Sequence, residues 1–182
     1  LNDAAPGSVN DRDEWGATLF TTALGYVIEE RHVDFARWLI ARGADVNQAS
    51  RNGSFPLHYA SFPGECSSSA VSLLLKAGAR VNARTEDEDL TPLGQLIERF
   101  DYTLDEVDEE DEIAARQEQI SHSGLEIMIS LLRAGASLDA LSSEGMTALD
   151  VARARGFEKA VGVLERQEKK LRSLNSRAVD AL

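Results

Sequence analysis

One phrase of nine residues recurs along the chain and limits the folds open to it. It is Leu-Ile-Ala-Arg-Gly-Ala-Asp-Val-Asn at residues 39–47, Leu-Leu-Lys-Ala-Gly-Ala-Arg-Val-Asn at residues 74–82, and Leu-Leu-Arg-Ala-Gly-Ala-Ser-Leu-Asp at residues 131–139. Repetition at intervals of a few tens of residues is typical of an array of stacked units. The sequence therefore predicts a repeat architecture rather than a fold organised around one site.

Each unit is predicted to contain two antiparallel helices and a projecting turn. In the last unit, Thr147 is placed to cap the first helix and Gly156 to end it. The second helix is then predicted from Phe157 to about Leu174. In the earlier units the second helix is predicted to end at a glycine, followed four residues later by the Asn or Asp of a turn. These glycines are Gly43, Gly78 and Gly135. Because one unit cannot bury its apolar stripe alone, the units are expected to stack.

These units resemble ankyrin repeats. The Thr-Pro-Leu-His phrase of that family has counterparts in Phe-Pro-Leu-His at residues 55–58 and Thr-Pro-Leu-Gly at 91–94. More distant counterparts are Thr-Ala-Leu-Asp at 147–150 and Thr-Leu-Phe-Thr at 18–21. The resemblance covers about residues 16–164. It implies an all-α ankyrin-repeat solenoid of stacked helix-turn-helix units with short hairpin loops.

The domain organisation follows from the same alignment of units. We expect an N-terminal capping segment, an ankyrin-repeat domain of four repeats, and a C-terminal capping helix with a tail. The predicted ranges are 1–15 for the cap, 16–164 for the domain (repeats about 16–47, 48–82, 83–139 and 140–164), and 165–182 for the C-terminal segment.

The third repeat is interrupted by a long acidic insertion at about residues 100–122. Gly78 and Gly135 are 57 residues apart, whereas Gly43 and Gly78 are 35 apart. Residues 86–112 hold 13 of the 31 acidic residues and one basic residue. The net charge of this segment is therefore −12, which equals the net charge of the whole chain. The densest part of the insertion is Asp105, Glu106, Asp108, Glu109, Glu110, Asp111 and Glu112.

Three interpretations of this acidic run stay open. It is a solvated loop, a docking segment for a basic partner surface, or a metal site. The metal interpretation is the weakest, because calcium loops need spaced oxygen ligands and usually a glycine, and this run has neither. We expect a loop from Asp101 to Glu112, and from Ile113 onward a helix that extends or precedes the second helix of the repeat.

The remaining composition excludes several classes of function. No Gly-rich phosphate loop, nucleophile elbow or metal-binding helix motif is present, so we expect no enzyme activity, catalytic residue, metal or cofactor. A central net charge of this sign would repel a nucleic-acid backbone. No apolar run approaches the ~20 residues that span a bilayer. Cys66 has no partner for an internal disulfide, which favours an intracellular, reducing compartment.

Three ring-bearing side chains have specific expectations. His58 occupies the histidine position of the ankyrin phrase, which implies a hydrogen-bonding role between turns rather than a catalytic one. Trp38 falls at an apolar position of a second helix, so it is predicted to be in the core. Trp15 precedes the first repeat and is expected either to cover its apolar edge or to serve as an interface anchor.

The resemblance implies a protein partner, bound through the hairpin tips and a concave face formed by the first helices. Side chains there are held by the scaffold without being needed for stacking. Phe62, Leu90 and Met146 rank above the charged residues, because buried apolar anchors usually dominate binding energy. The candidate residues are Arg51, Asn52, Ser54, Phe62, Asp87, Glu88, Leu90, Ser143, Glu144, Met146, Arg153 and Arg155.

Two hypotheses of function remain beside each other. The first is a non-enzymatic protein-interaction module, whose acidic insertion engages a basic surface of the partner. The second is a fixed subunit or assembly factor of a larger complex. An enzyme activity would require a further domain, which the start at Leu1 rather than Met leaves open. The sequence does not indicate an oligomeric state.

Overall fold

A computed structural model of the chain describes residues 8–14, 16–25, 30–51, 53–62, 68–99, 110–142 and 144–179. These residues form helices, turns and two isolated β-bridges, in agreement with the predicted all-α class. The helices are α1 (Leu19–Gly25), α2 (Glu30–Ile40), α3 (Pro56–Ala60), α4 (Ser68–Lys76), α5 (Pro92–Glu98), α6 (Glu110–Arg133), α7 (Ala148–Ala154) and α8 (Glu158–Val179).

The helices lie in two rows that share one core. Helices α1, α3, α5 and α7 have 5 to 7 residues each and contact one another in chain order; we call them the short-helix row. Helices α2, α4, α6 and α8 have 9 to 24 residues and form the long-helix row. Leu39, Leu74, Leu131 and Leu164 are fully buried at equivalent places in the long-helix row. Stacking of neighbouring units therefore completes the core, as predicted.

The glycine of the repeated phrase ends each helix in the way the sequence predicts. Gly43 has a φ of +89°, in the left-handed region that lacks a steric penalty only for glycine. Its N–H donates to the Ile40 carbonyl at 3.0 Å, and the next N–H, of Ala44, donates to the Leu39 carbonyl at 3.1 Å. This pair of bonds is a Schellman motif. The same pattern recurs at Gly78, Gly135 and Gly156.

The first turns of the short helices are closed by side chains three residues apart. Thr147 caps α7, since its hydroxyl accepts a hydrogen bond from the Asp150 N–H at 3.2 Å while the Asp150 carboxylate accepts from the Thr147 N–H at 3.0 Å. Thr18 and Thr21 exchange the same two bonds at the start of α1, at 2.8 and 3.1 Å. The degenerate copies of the Thr-Pro-Leu-His phrase therefore keep its capping chemistry.

His58 has the structural role that was predicted for it. The ring is fully buried; its Nδ1 accepts a hydrogen bond from the Phe55 N–H at 3.2 Å, and its Nε2 donates to the Leu90 carbonyl at 3.0 Å. These partners fix the neutral tautomer with the proton on Nε2. Burial lowers the pKa of His58, despite backbone hydrogen bonds that act in the opposite direction. The ring thus joins the second unit to the hairpin tip of the third.

An asparagine at the end of the phrase links each unit to the next. The Asn47 amide donates to the Gly78 carbonyl at 3.0 Å, and its oxygen accepts from the Arg80 N–H at 2.8 Å. Asn10 makes the same pair of bonds one unit earlier and Asn82 one unit later. We call these three side chains the asparagine ladder. The sequence predicted only a local turn for Asn47 and Asn82, and it did not identify Asn10, although Val9-Asn10 repeats the Val-Asn ending of the phrase.

Three expectations about the long-helix row need correction. Trp38 is not in the core: its side chain is 47% exposed, because Val33, Ala36 and Leu39 already fill the inner face of α2. In addition, α6 begins at Glu110, so the last three acids of the densest run belong to a helix and not to a loop. Helix α8 also continues to Val179, five residues beyond the predicted end.

The asparagine ladder makes a direct prediction about stability. Replacing Asn82 with Ala removes two hydrogen bonds between neighbouring units, and we expect the free energy of unfolding in urea to fall by about 1–2 kcal/mol. Asp139 is the matched control, because it occupies the same position of the phrase and, within the described residues, makes no such pair of hydrogen bonds. The Asp139→Ala variant should unfold at nearly the wild-type urea concentration. Equal losses in the two variants would show that the ladder contributes nothing specific.

Candidate functional site

The hairpin tips place four backbone positions in the left-handed region. Gly16, Gly53 and Gly145 each have a φ of +75°, and Asp89 takes the equivalent place in the third unit with a φ of +54°. Arg84 holds the Asp89 carboxylate through Nε at 2.5 Å and an Nη at 2.6 Å, and this ion pair lowers the pKa of Asp89. Side-chain pairing thus supports a conformation that the other tips obtain from glycine.

Leu90 was wrongly predicted to be a binding residue. It follows the tip residue, as Ser54 and Met146 do, yet its side chain is only 2% exposed. Its N–H donates to the Thr85 hydroxyl at 3.1 Å, and its carbonyl accepts from both the Thr85 N–H and the His58 ring at 3.0 Å. Because hydrogen bonds hold both the N–H and the carbonyl of Leu90, its side chain packs inward. Leu90 therefore supports the hairpin and is not available as an anchor for a partner.

Phe62 and Glu88 are brought together by a residue that the sequence analysis did not select. The Arg99 guanidinium lies 5.6 Å from the centre of the Phe62 ring, within the range of a cation–π contact. Its Nη2 also donates to the Glu88 carboxylate at 2.6 Å. Phe62 is half-buried and Glu88 is exposed. The end of α3, the end of α5 and the third hairpin tip therefore form one surface.

A second set of charged residues lies next to the surface around Arg99, at the end of α5. The Arg155 guanidinium donates to the Glu98 carbonyl, which connects the ends of α7 and α5. Burial raises the pKa of Glu98, and the negative charges of Glu144 and Glu88 raise it further, while Arg155 and Arg99 act in the opposite direction. Two predicted residues, Arg155 and Glu144, thus meet at Glu98, which was not predicted.

The other predicted residues are placed as follows. Arg51 and Asp87 are exposed at two hairpin tips, and Arg153 is exposed on α7, where it pairs with Glu165 of α8 at 2.8 Å. Ser54 is half-buried, and its carbonyl accepts hydrogen bonds from Ser50. Met146 is half-buried against the core and lines a narrow cleft between α5 and α7. Six of the ten described residues of the predicted set are therefore exposed, and they lie at the hairpin tips and on or just after α7.

Several predictions lie outside the described residues. These are the binding residues Asn52 and Ser143, the cap Trp15, the thiol Cys66, and the acidic residues Asp105, Glu106, Asp108 and Glu109. The backbone of Glu110, Asp111 and Glu112 is helical, at the start of α6.

Exposed apolar side chains identify surface that the sequence analysis missed. Leu19 on α1 and Leu141 before the fourth tip are 53% and 48% exposed. Leu141 occupies the position that holds Arg84 in the third unit, and this change from a charged to an apolar residue was the available signal. On α2, the rings of Phe35 and Trp38 stack with centroids 5.8 Å apart.

Among the described side chains, no group of three or more His, Cys, Asp or Glu residues is placed to hold a metal ion. In the same part of the chain, no helix combines the length and apolar character that crossing a bilayer requires.

Comparison with known proteins agrees with this geometry. The family model described as ankyrin repeats, in three copies, matches residues 2–85, just under half of the chain. Its match includes Asn10 and Asn47 of the ladder and the buried His58. The chain contains ankyrin repeats within residues 2–85.

One curated relative extends the comparison. Ankyrin repeat and SOCS box protein 10 of Mus musculus is 51% identical to this chain over 51 residues. Those residues make up 27% of the chain and 10% of the mouse protein. The chain therefore matches only a small part of that relative, and nothing beyond the shared repeats follows from its name.

The environment of Glu98 predicts a dependence of stability on pH. Its pKa is raised in the ankyrin-repeat fold above the ordinary 4.5, so the ionised carboxylate destabilises the folded state at neutral pH. Replacing Glu98 with Gln should raise the free energy of unfolding at pH 7. The advantage should shrink as the pH falls through the raised pKa towards 4.5, because wild-type Glu98 then becomes neutral as well.

Urea denaturation across this pH range would measure the effect. Glu86→Gln is a suitable control, since it removes one exposed carboxylate from a neighbouring tip. If the free energy of unfolding gained by Glu98→Gln persisted unchanged at low pH, the proposed cause would be contradicted.

Proposed function

We propose that this ankyrin-repeat protein is a non-enzymatic interaction module that binds a protein partner through its hairpin tips and the face of the short-helix row. Ankyrin repeats are generally protein-interaction modules and generally lack enzyme activity. The observation that carries the proposal is the surface around Arg99. There, side chains that directly follow α3 and α5 converge with one from the third tip without being needed for the core.

The contact set differs from the sequence-based one in a few residues. Leu90 is withdrawn, since it is buried. Arg99 and Glu98 are added, because they join predicted residues from different units. Leu141 is added as the most exposed apolar side chain near the fourth tip. A rigid scaffold that presents one apolar anchor within a charged rim has the composition of a typical binding patch.

The first test compares two leucines of nearly equal exposure. Leu141 is 48% exposed beside the fourth tip, and Leu174 is 50% exposed on α8 of the long-helix row. If partners bind the tips, Leu141→Ala should weaken the affinity about fivefold or more, and Leu174→Ala should leave it unchanged. Both variants should retain the wild-type thermal midpoint, because neither side chain is in the core.

The measurement needs an identified partner. Partners are captured from a cell lysate and identified by mass, and the strongest is then purified and titrated against both variants. Loss of affinity with Leu174→Ala alone would contradict binding at the tips.

That opposite outcome would favour the second candidate function, a fixed subunit or assembly factor of a larger complex. The observation in its favour is the length of the long-helix row. Helix α6 has 24 residues and α8 has 22, whereas each helix of the short-helix row has at most 7. Leu171 and Leu174 follow the buried Leu164 on α8, and both are exposed.

For the acidic insertion, we propose that it engages a basic surface of the partner. The proposal is supported by its sequence: residues 86–112, which include the densest acidic run of the insertion, carry a net charge of −12. Clustered charges of this kind raise the rate of association with an oppositely charged partner, and this effect weakens at high salt. Replacing Asp105, Glu106, Asp108 and Glu109 with their amides should lower the association rate and flatten its salt dependence.

Stopped-flow mixing with the purified partner at several salt concentrations would test this. The dissociation rate is the internal control, because long-range attraction acts mainly on encounter. An association rate that is unchanged at low salt would refute a role for the insertion in partner capture.

A further inference from the structure

A groove of about 670 Å³ lies on the long-helix row, on the side away from the hairpin tips. Five of its lining residues come from α4, four come from α6, and Arg37 comes from α2. From Ser68 to Lys76, helix α4 contributes eight residue steps, or about 12 Å at the α-helical rise. The groove therefore follows the length of α4 and is bounded by its two neighbours in the row.

Positive charge dominates this groove in a protein that is acidic overall. Arg37, Lys76 and Arg133 line it, and Glu126 is its one acidic lining residue. Arg37 also contacts Asp34 at 2.5 Å. Lys76 and Arg133 are exposed, and within the described residues neither has a carboxylate within ion-pairing distance. The helix dipole favours a cation in the last turn of each helix, but it does not require three to converge on one depression.

The rest of the lining suits an extended polypeptide. Ser68, Ser69 and Ser72 place hydroxyl groups along α4, where they can donate to carboxylate or carbonyl oxygens. Leu73 and Ile129 are half-buried beside them and offer apolar contact. An extended chain advances about 3.3 Å per residue, so 12 Å accommodates about four residues. A basic groove with a mixed floor fits carboxylates that flank an apolar side chain.

We propose that this groove binds a short acidic segment of a partner protein in an extended conformation. The proposal is independent of binding at the hairpin tips and gives the chain a second contact surface on its opposite side. Charge complementarity selects the occupant. A nucleic acid carries the same sign of charge, but its long phosphate backbone would meet the acidic remainder of the molecule, which a segment of four residues avoids.

A labelled peptide tests the proposal directly. The probe is fluorescein-tagged Glu-Glu-Leu-Glu-Glu, its control is Gln-Gln-Leu-Gln-Gln, and fluorescence anisotropy with the full chain measures affinity. We expect the acidic peptide to bind, the amide peptide to bind at least about tenfold more weakly, and affinity to fall with salt. The double variant Lys76→Gln, Arg133→Gln should lose at least about tenfold in affinity for the acidic peptide.

A charge-matched control separates groove binding from general attraction. Lys159→Gln with Lys170→Gln changes the net charge equally at exposed positions of α8. This variant should bind within about twofold of wild type. Equal weakening by both double variants would overturn the proposal, because it would leave only net charge as the cause.

A steric variant tests the location without changing charge. Ser72→Trp should fill the groove and reduce peptide affinity, whereas Ser173→Trp on α8 should not. Thermal midpoints would confirm that each variant is folded. Wild-type affinity in a folded Ser72→Trp variant would refute the groove as the site. Sedimentation would check the occupant: self-association lost with Lys76→Gln and Arg133→Gln would show that a second copy, rather than another protein, occupies it.

Discussion

The hydrogen bonds of the asparagine ladder determine how one unit of this protein is placed on the next. Each side-chain amide reaches across to the glycine carbonyl that ends the following helix, and it accepts an N–H two residues beyond that glycine. Hydrophobic contact between stacked helices is not directional and would allow neighbouring units to slide or rotate. The ladder instead fixes the stagger and orientation, so the core leucines of successive units meet.

This constraint explains why the third repeat tolerates its insertion. Asn82 bonds to Gly135 with the same geometry that joins Asn47 to Gly78, although many more residues separate the first pair. The extra chain leaves the ladder intact because it lies between the end of α5 and the middle of α6, away from the linking loop. Differences between units therefore accumulate on the helices of the long row and at the tips, where they do not disturb the stack. Those are also the places where both proposed contact surfaces lie.

The sequence predicted the elements whose cause is local. The left-handed glycines that end the helices and the threonine cap at Thr147 follow from the conformational preferences of single residues. Trp38 was misplaced because two adjacent apolar residues, at 38 and 39, compete for one inward position, and only the packing of α2 decides between them. Leu90 was misplaced because hydrogen bonds with Thr85 and with His58 of the preceding unit draw it inward, and these bonds form only in the folded stack.

The binding surfaces were only partly predictable for a similar reason. Alignment of the repeats could identify the tips, since every unit has one. It could not identify Arg99, whose contacts with Phe62 and Glu88 join residues from two units. The groove is still less visible in sequence, because Arg37, Lys76 and Arg133 belong to three different repeats and each resembles an ordinary cation at a helix end. Convergence in space is the property that no single segment of sequence contains.

The spacing of the ladder also bears on how the chain folds. Asn47 closes a loop of 31 residues when it reaches Gly78, whereas Asn82 must close one of 53 residues to reach Gly135. For a flexible chain, this difference adds about 0.5 kcal/mol to the entropic cost of closure. Folding is therefore expected to nucleate among the first repeats and to reach α6 and α8 later. The long acidic interruption thus divides the array into an early and a late folding half.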